Sequence, residues 1–453
     1  MMKSSASSHV STTNPCRMCR PIGACLAFRG IANSMVLLHG SQGCSTYMRR
    51  YISSHFNEPV DIASSSLSEK SAVYGGAANL KQGIRNVVAR YSPSVLGVVT
   101  TCLTETIGDD VRQIIAELLV EEPSLREVLI VPVSAPSYSG SHMDGFHDSC
   151  VAILERLASR PIPNNGAINI FPGFISPADI RHLGRILADF QTPAIILPDF
   201  SQTLDGGISD VYRRIPVGGT SLEQIGQMAG AAFSIEFNVT SPERQSSSAL
   251  LESLADVSGE RLPLPIGLRN CDFFFQALSD MTLTPVPARY KEERARLLDA
   301  MVDAHKYLFG KKVAVYGDAD MVLALTGFMV DVGLVPVVCA SGGGGPEFTR
   351  RISEATAGLE TRPAVLTATD FDRIGSSAAE AGAELLVGSS KGNHIARRLD
   401  IPLLRLGFPI HDRIGAQRLL HIGYQGTINL LDRLTNTIIA RQQDEYGNGY
   451  SYM

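Results

Sequence analysis

The chain has 453 residues, too many for one compact hydrophobic core, so we expect two to four domains. Its composition, 44% hydrophobic and 19% charged, is typical of a soluble globular protein. The formal net charge of −5 gives no electrostatic reason to expect a nucleic-acid partner.

The N-terminal stretch MMKSSASSHVSTTNPC is polar and lacks the apolar core of a signal peptide. No run of about eighteen apolar residues occurs in the sequence, so we expect neither a transmembrane helix nor a membrane partner. Eight cysteines in a chain of this length, without a secretion signal, favour metal binding or redox chemistry over a disulfide framework. We therefore expect a cytoplasmic protein.

Apolar runs alternate with helix-like segments along the chain, a pattern typical of a parallel sheet covered by helices on both faces. Examples of the predicted strands, in chain order, are VLGVVTTC (95–102), VLIVPVSAP (128–136), AINIFPGF (167–174), AIILPDF (194–200), KVAVYGD (312–318), VPVVCASGG (335–343), AELLVGSS (383–390) and PLLRLGF (402–408). The helix-like segment GDDVRQIIAELLVEE (108–122) separates the first two. The spacing predicts an α/β fold with three Rossmann-like, doubly wound parallel-sheet domains.

Proline-rich and polar stretches divide the predicted strands into three groups. RPIPNNG (160–166) marks the first boundary, and TPVPARYKEERARLLDAM (284–301) leads into the last group. The predicted divisions are an N-terminal arm (1–19), a first α/β domain (20–162), a second (163–288), a third (289–419) and a C-terminal helical segment (420–453). The helical spacing of that last segment predicts that it packs back on the other domains.

The carboxyl ends of the strands, where open parallel sheets bind ligands, carry no nucleotide-binding motif. Neither GxGxxG nor GxxxxGK[ST] is present, so we expect no nicotinamide cofactor and no ATP hydrolysis by this chain. The GxSxG and HExxH motifs of hydrolases are also absent. The glycine-rich SGGGGPEF (341–348) is more typical of a plain loop than of an anion site.

Five of the eight cysteines fall within the first 102 residues. NPCRMC (14–19) contains a CxxC pair that could be a redox pair or half of a zinc site, but no second close pair follows. Cys19, Cys44 and Cys102 each lie in a segment with glycine, proline or threonine, whose backbone N–H groups can point at sulfur. They are candidate thiolates of an iron–sulfur cluster. A cubane normally takes four cysteines, so either another cysteine or a partner chain completes the set.

Seven segments between residues 14 and 413 resemble the β subunit of the nitrogenase catalytic component and its nitrogenase-like relatives. They are NPCRMCRPIGACLAFRGI, LLHGSQGCSTYMRRYISSHFNEPVDIASSS, AVYGG, TTCLTETIGDDV, PSYSGSHMDGF, RLLDAMVDAHKYLFGKKVAVYGD and IPLLRLGFPIHDR. The first four are highly specific, and the later ones mainly support the fold. The resemblance implies three Rossmann-like domains around a cleft, in agreement with the strand pattern.

The resemblance also implies a role for each candidate ligand. Cys19, Cys44 and Cys102 match the β-subunit thiolates of the P-cluster, an 8Fe-7S cluster shared across the α/β interface. Ser137 matches a serine that adds an oxygen ligand when the cluster is oxidised. Cys16 and Cys25 fall outside the ligand positions, and we expect both to be small buried residues. The chain would then relay electrons and contain no catalytic residue of its own.

The partners that the resemblance implies are an α-type subunit and an iron protein. The α-type subunit would hold the substrate-reducing cofactor in an α2β2 heterotetramer. The iron protein would carry a 4Fe-4S cluster, hydrolyse ATP and deliver electrons. We expect it to dock near ETIGDDV (105–111), with Asp109 and Asp110 as the charges that govern its association rate.

Two departures from molybdenum nitrogenase β subunits bear on the expected substrate. The N-terminal arm is far shorter, and the sequence contains no tryptophan. These features favour nitrogenase-like reductases over dinitrogen reduction. Within that group, overall likeness makes methylthio-alkane reductase, which cleaves C–S bonds of small organic sulfides, the leading interpretation. The alternatives are a nitrogenase β subunit for dinitrogen reduction, a scaffold subunit for cofactor assembly, and a tetrapyrrole reductase with a smaller cubane. The β-type scaffold chain usually lacks the full set of three cysteines.

Overall fold

The computed structural model describes residues 14–208 and 210–446, which contain three separate sheets. All strand pairs in the three sheets are parallel. The predicted fold class is therefore confirmed. Residues 1–13 of the predicted arm and 447–453 of the predicted C-terminal segment lie outside the described residues, and the domain limits stay a prediction.

The first sheet has the strand order β2-β1-β3-β4. Its strands are β1 (Ser34–His39), β2 (Ala63–Ser64), β3 (Val95–Thr100) and β4 (Leu129–Val133). Its helices are α1 (Arg20–Arg29), α2 (Gln42–Phe56), α3 (Glu69–Tyr74), α4 (Ala77–Tyr91), α5 (Cys102–Ile107), α6 (Val111–Glu121) and α7 (His142–Leu157). Every residue of β1 and β3 is buried, as expected for strands covered on both faces.

The second sheet has the strand order β6-β5-β7-β8. Its strands are β5 (Ile168–Phe171), β6 (Ala194–Ile196), β7 (Phe233–Glu236) and β8 (Gly259–Arg261). The helices of this part of the chain are α8 (Pro177–Asp189), α9 (Leu222–Gln227), α10 (Ser247–Ala255) and α11 (Leu268–Thr282). The outer strands β6 and β8 have only three residues each and are less buried than the inner strands β5 and β7. The apolar core of this sheet therefore lies around β5 and β7.

The third sheet has the strand order β11-β10-β9-β12-β13. Its strands are β9 (Lys312–Gly317), β10 (Val335–Ser341), β11 (Ala364–Leu366), β12 (Leu385–Gly388) and β13 (Leu403–Arg405). The remaining helices are α12 (Ala288–Leu308), α13 (Ala319–Asp331), α14 (Pro346–Ala355), α15 (Phe371–Glu380), α16 (Asn393–Leu399) and α17 (Gly423–Glu445). Helix α17 packs on α11 and α12, where the Tyr424 ring stacks on Phe275 at 4.8 Å and its hydroxyl donates to Asp272.

Helices α1 and α7 cross with their backbones in direct contact. A Cβ atom added at Gly23 would lie 1.6 Å from the backbone oxygen of His142. One added at Gly145 would lie 2.1 Å from the backbone oxygen of Arg20. Because only glycine allows this approach, the crossing fixes the start of α1 against the start of α7.

A cleft of about 660 Å³ lies where the three sheets meet. Ser141, Thr240, Asp318 and Gly343 line it from the three parts of the chain, each near the carboxyl end of a strand. This is the cleft that the predicted fold class includes. Within the described residues, no helix combines the length and the apolar character needed to cross a bilayer.

Candidate functional site

Cys19 lies at the start of α1, where it is the N-cap residue, and it is half-buried. The hydroxyl groups of Ser137 and Tyr47 lie beside its sulfur. Burial raises the pKa of the Cys19 thiol, and the Ser137 hydroxyl acts in the opposite direction because it stabilises the thiolate. The N-terminal end of a helix also favours a negative charge at this position.

Cys102 and Ser137 come together at the carboxyl ends of two neighbouring strands. Cys102 is the first residue of α5, directly after β3, and Ser137 follows β4. The Ser137 backbone N–H donates to the Cys102 sulfur at 3.2 Å. The Ser137 hydroxyl in turn accepts from the backbone N–H of Arg20 at 3.3 Å. Ser137 therefore contacts both Cys102 and the start of α1.

Cys44 lies in the first turn of α2, after the glycine-containing segment that follows β1. The Ser41 hydroxyl donates to its sulfur at 3.5 Å. The charges of the Cys44 and Cys102 thiolates both raise the pKa of Cys19, which indicates that the three sulfurs face one region. The structure thus brings Cys19, Cys44, Cys102 and Ser137 to one side of the first sheet.

The cysteines divide into two groups by exposure. Cys19 and Cys44 are half-buried and Cys102 is exposed, whereas the other five are buried: Cys16, Cys25, Cys150, Cys271 and Cys339. Burial raises the pKa of Cys16, Cys25 and Cys339 to about 12 and raises the pKa of the other two as well. A buried thiol with so high a pKa stays neutral and unreactive. The predicted burial of Cys16 and Cys25 is therefore observed.

The three less buried cysteines do not form a site for a single ion. Within residues 14–208 and 210–446, no group of three His, Cys, Asp or Glu side chains is arranged to hold one metal ion. Thiolates that bind different iron atoms of one cluster do not have to converge on a single point. Three accessible thiols with hydroxyl and N–H donors beside them fit a polynuclear iron–sulfur group and not a mononuclear zinc site.

Tyr47 belongs to this site although the sequence patterns did not single it out. It lies on α2 three residues after Cys44, and its ring centroid is 4.8 Å from that of Tyr51. Burial raises its pKa, and the Cys19 charge adds to that effect, so the Tyr47 hydroxyl stays protonated beside the sulfur. Its spacing of three residues from Cys44, which would put both side chains on one face of a helix, could have indicated this position.

Asp109 is not the free surface charge that the sequence suggested. Its side chain is 8% exposed, and it accepts from His39 Nε2 at 3.1 Å and from the Gly76 backbone N–H at 3.1 Å. Asp110 caps α6 by accepting from the Gln113 backbone N–H at 3.0 Å. Asp109 therefore presents less charge to a partner than the sequence suggested, and the docking role of Asp109 and Asp110 stays a prediction.

Comparison with known proteins places this geometry in a family. Residues 19–439 match the family described as Nitrogenase component 1 type Oxidoreductase. The chain is 36% identical over 434 residues to the nitrogenase molybdenum-iron protein beta chain of Clostridium pasteurianum, covering 95% of this chain and 94% of that protein. It is 32% identical over 436 residues to the nitrogenase iron-molybdenum cofactor biosynthesis protein NifN of Bradyrhizobium diazoefficiens, covering 95% and 90%. A solved structure described as "Nitrogenase Cp1 at pH 6.5" matches with a TM-score of 0.93 at 35% identity, covering 99% of this chain and 98% of that one.

A match over nearly the whole length and over the same three-sheet fold defines an oxidoreductase subunit. The chain belongs to the nitrogenase component 1 family. The β chains of this family carry P-cluster iron–sulfur centres, the cofactor that the resemblance predicted. The molybdenum-iron beta chain and the cofactor biosynthesis protein are similar to this chain to nearly the same degree, so identity alone does not select a substrate.

Proposed function

We propose that this chain is the β-type subunit of the catalytic component of a nitrogenase-like, two-component reductase. Cys19, Cys44 and Cys102 would hold its half of an 8Fe-7S cluster at the interface with an α-type subunit, and Ser137 would supply an oxygen ligand on oxidation. The cluster would store and pass electrons that an ATP-hydrolysing 4Fe-4S iron protein delivers. The assembly would be a cytoplasmic α2β2 heterotetramer.

The observation that supports this proposal most directly is the difference in solvent exposure among the eight cysteines. The three thiols that match the family's ligand positions are the three that are not buried. Two of them, Cys19 and Cys102, contact Ser137, which holds the start of α1 beside the end of β4. Because a bound thiolate must be deprotonated, the hydroxyl and N–H donors at these sulfurs favour the state that binds iron.

The test is to co-produce the chain with its α-type partner and compare two alanine variants. Cys102→Ala removes a proposed ligand, whereas Cys339→Ala removes a fully buried sulfur in the third sheet. We expect Cys102→Ala to lower the iron content and to abolish the EPR signal of the oxidised interface cluster. Cys339→Ala should retain both. Equal behaviour of the two variants, or a wild-type complex without interface iron, would contradict the proposal.

The substrate class that we propose is small organic sulfides. This choice rests on the overall likeness to methylthio-alkane reductases and not on a residue that contacts substrate. Reduction of CH3–S–R by two electrons and two protons gives CH3SH and RH, so methanethiol is the product to measure. The complex should form it from a small alkyl methyl sulfide in the presence of iron protein, ATP and a reductant. Formation of ammonia from dinitrogen, without methanethiol, would instead identify a nitrogenase.

A cofactor-assembly scaffold is the second candidate, because the biosynthesis protein NifN matches over 95% of this chain. The two candidates differ in what happens to the partner's cofactor. A reductase turns over with its cofactor retained, whereas a scaffold passes a cluster to another protein and does not turn over. Interface iron near four atoms per αβ pair, instead of eight, together with cluster transfer to an acceptor, would favour the scaffold. The same low iron content without transfer would favour a tetrapyrrole reductase.

A further inference from the structure

Residues 14–18 form a short strap that runs along the third domain before the chain enters α1. The strap pairs with the segment before α15 in an antiparallel bridge between Pro15 and Asp370. The Cys16 backbone N–H donates to the Thr369 oxygen at 2.9 Å, and the Phe371 N–H donates to the Asn14 oxygen at 3.2 Å. The first part of the strap therefore packs on the third domain, although Cys19 comes directly after its last residue.

Lys391 holds this strap from the loop that follows β12. Its ammonium group donates to the Pro15 backbone oxygen at 2.7 Å. The same group lies 5.3 Å from the centre of the Phe371 ring, within the range of a cation–π interaction. Cys16 packs into the apolar core beside Phe371 and Tyr316. The Lys391 side chain is thus fixed between the strap and the core of the third domain.

The stretch of chain between the Lys391–Pro15 contact and the candidate ligand Cys19 is short. Pro15 and Cys19 are four positions apart in the chain, a span of at most about 14 Å even when fully extended. Within it, Met18 is 2% exposed, and its backbone N–H donates to His142 Nδ1 at 3.4 Å. The strap is anchored to the third domain at Pro15 and Cys16 and to the first domain at Met18. Its position therefore sets the position of the Cys19 backbone.

The charge of Lys391 also acts on this region. Burial lowers the pKa of Lys391, and the charges of the Cys16 and Cys19 thiolates act in the opposite direction. Because burial raises the pKa of Cys16 to about 12, that thiol is neutral near pH 7. Cys16 therefore does not neutralise the ammonium group, which places a positive charge on the strap that leads to Cys19.

We propose that Lys391 is a positioning residue for Cys19, and that its positive charge favours the reduced state of the iron–sulfur cluster that Cys19 helps to hold. This inference rests on the proposed function. A fixed positive charge near a cluster stabilises the added electron, so it raises the reduction potential. Removing the charge should make the interface cluster harder to reduce.

The experiment compares three variants of Lys391 in the complete αβ complex. Lys391→Arg keeps the charge and a donor, Lys391→Gln keeps a donor without the charge, and Lys391→Met removes both. Lys312→Gln is the matched control, because Lys312 is an exposed lysine at the other end of the third sheet. The measurements are the iron content and the midpoint potential of the interface cluster in an EPR-monitored redox titration.

We expect the midpoint potential to become more negative in Lys391→Gln and Lys391→Met and to stay near the wild-type value in Lys391→Arg and Lys312→Gln. Cluster loss in the Gln and Met variants with retention in Arg would also support the proposal. Wild-type potential and iron content in both uncharged variants would overturn it, and so would equal cluster loss in all three. A wild-type complex without an interface cluster would instead refute the proposed function, so the two failures are distinguishable.

Discussion

Gly23→Ala tests whether the close crossing of α1 and α7 positions the candidate ligands. The added Cβ would lie 1.6 Å from the backbone oxygen of His142. Because van der Waals contact needs roughly 3.5 Å, the two helices would have to separate by about 2 Å. Overpacking of this kind typically costs about 1–3 kcal/mol. The same displacement would move Cys19, at the start of α1, away from Ser137.

The assay is urea or thermal unfolding of the αβ complex together with its iron content. Gly327→Ala in α13 is the control, because no heavy atom lies within 4 Å of the Cβ that it adds. Alanine favours a helix over glycine by about 0.8–1.0 kcal/mol, so the control should match or exceed wild-type stability. We expect Gly23→Ala to lower both the unfolding midpoint and the iron content. Wild-type values for Gly23→Ala would refute the argument that this crossing positions the site.

Three further predictions concern the site and its support. Cys44→Ala should abolish the EPR signal of the oxidised interface cluster and the turnover that depends on it. Cys16→Ala should keep both the signal and the turnover. A severe Cys16→Ala phenotype would mean that the ligand set is wrong. Asp109→Asn should destabilise the complex by about 1–3 kcal/mol in chemical unfolding, because it weakens a buried hydrogen-bond network that involves a charge. Asp110→Asn keeps a good helix cap, so its free energy of unfolding should stay within a few tenths of a kcal/mol of the wild-type value. Burial lowers the pKa of His55 to about 3 in the folded chain. Between pH 3 and 6.5 the unfolded chain therefore binds about one more proton at this histidine than the folded chain does, so the stability of the fold falls as the pH drops. Wild type should lose about 1 kcal/mol more than His55→Gln between pH 6.5 and 5.5, and parallel pH profiles of the two proteins would contradict this.

The apolar strands were predictable because a strand that is buried on both faces appears in the sequence as a continuous run of apolar residues. Strand β3 was predicted over 95–102 and extends from Val95 to Thr100. Strand β7 (Phe233–Glu236) was missed because it contains buried Ser234 and Glu236. Glu236 is tolerated there because hydroxyl and backbone groups of Ser246 and Ser248 donate to it, and no local pattern shows such contacts. The two-residue strand β2 is too short to give a periodic signal.

The candidate ligands were predictable from a resemblance, whereas their surroundings were not. The sequence placed Cys19 and Cys102 in segments with glycine, proline or threonine, and both lie at helix starts in the structure. Their ligand role stays a prediction. The contacts of Asp109 were not predictable because its partners His39 and Gly76 are 70 and 33 residues away in the sequence. A charged residue beside a conspicuous motif looks like a surface charge until its long-range partners are known.

The candidate ligands differ in how they depend on the rest of the chain. Cys44 lies in the first turn of α2 and Cys102 begins α5. These helices follow strands β1 and β3 of the first sheet, so that sheet alone determines the positions of both cysteines. Cys19 follows a strap whose other end is bound to the third domain through Pro15 and Lys391. A shift of the third domain relative to the first would therefore displace Cys19 while leaving the other two in place. Because all three thiolates would bind one rigid cluster, the bound cluster should in turn hold the two domains in a fixed relation.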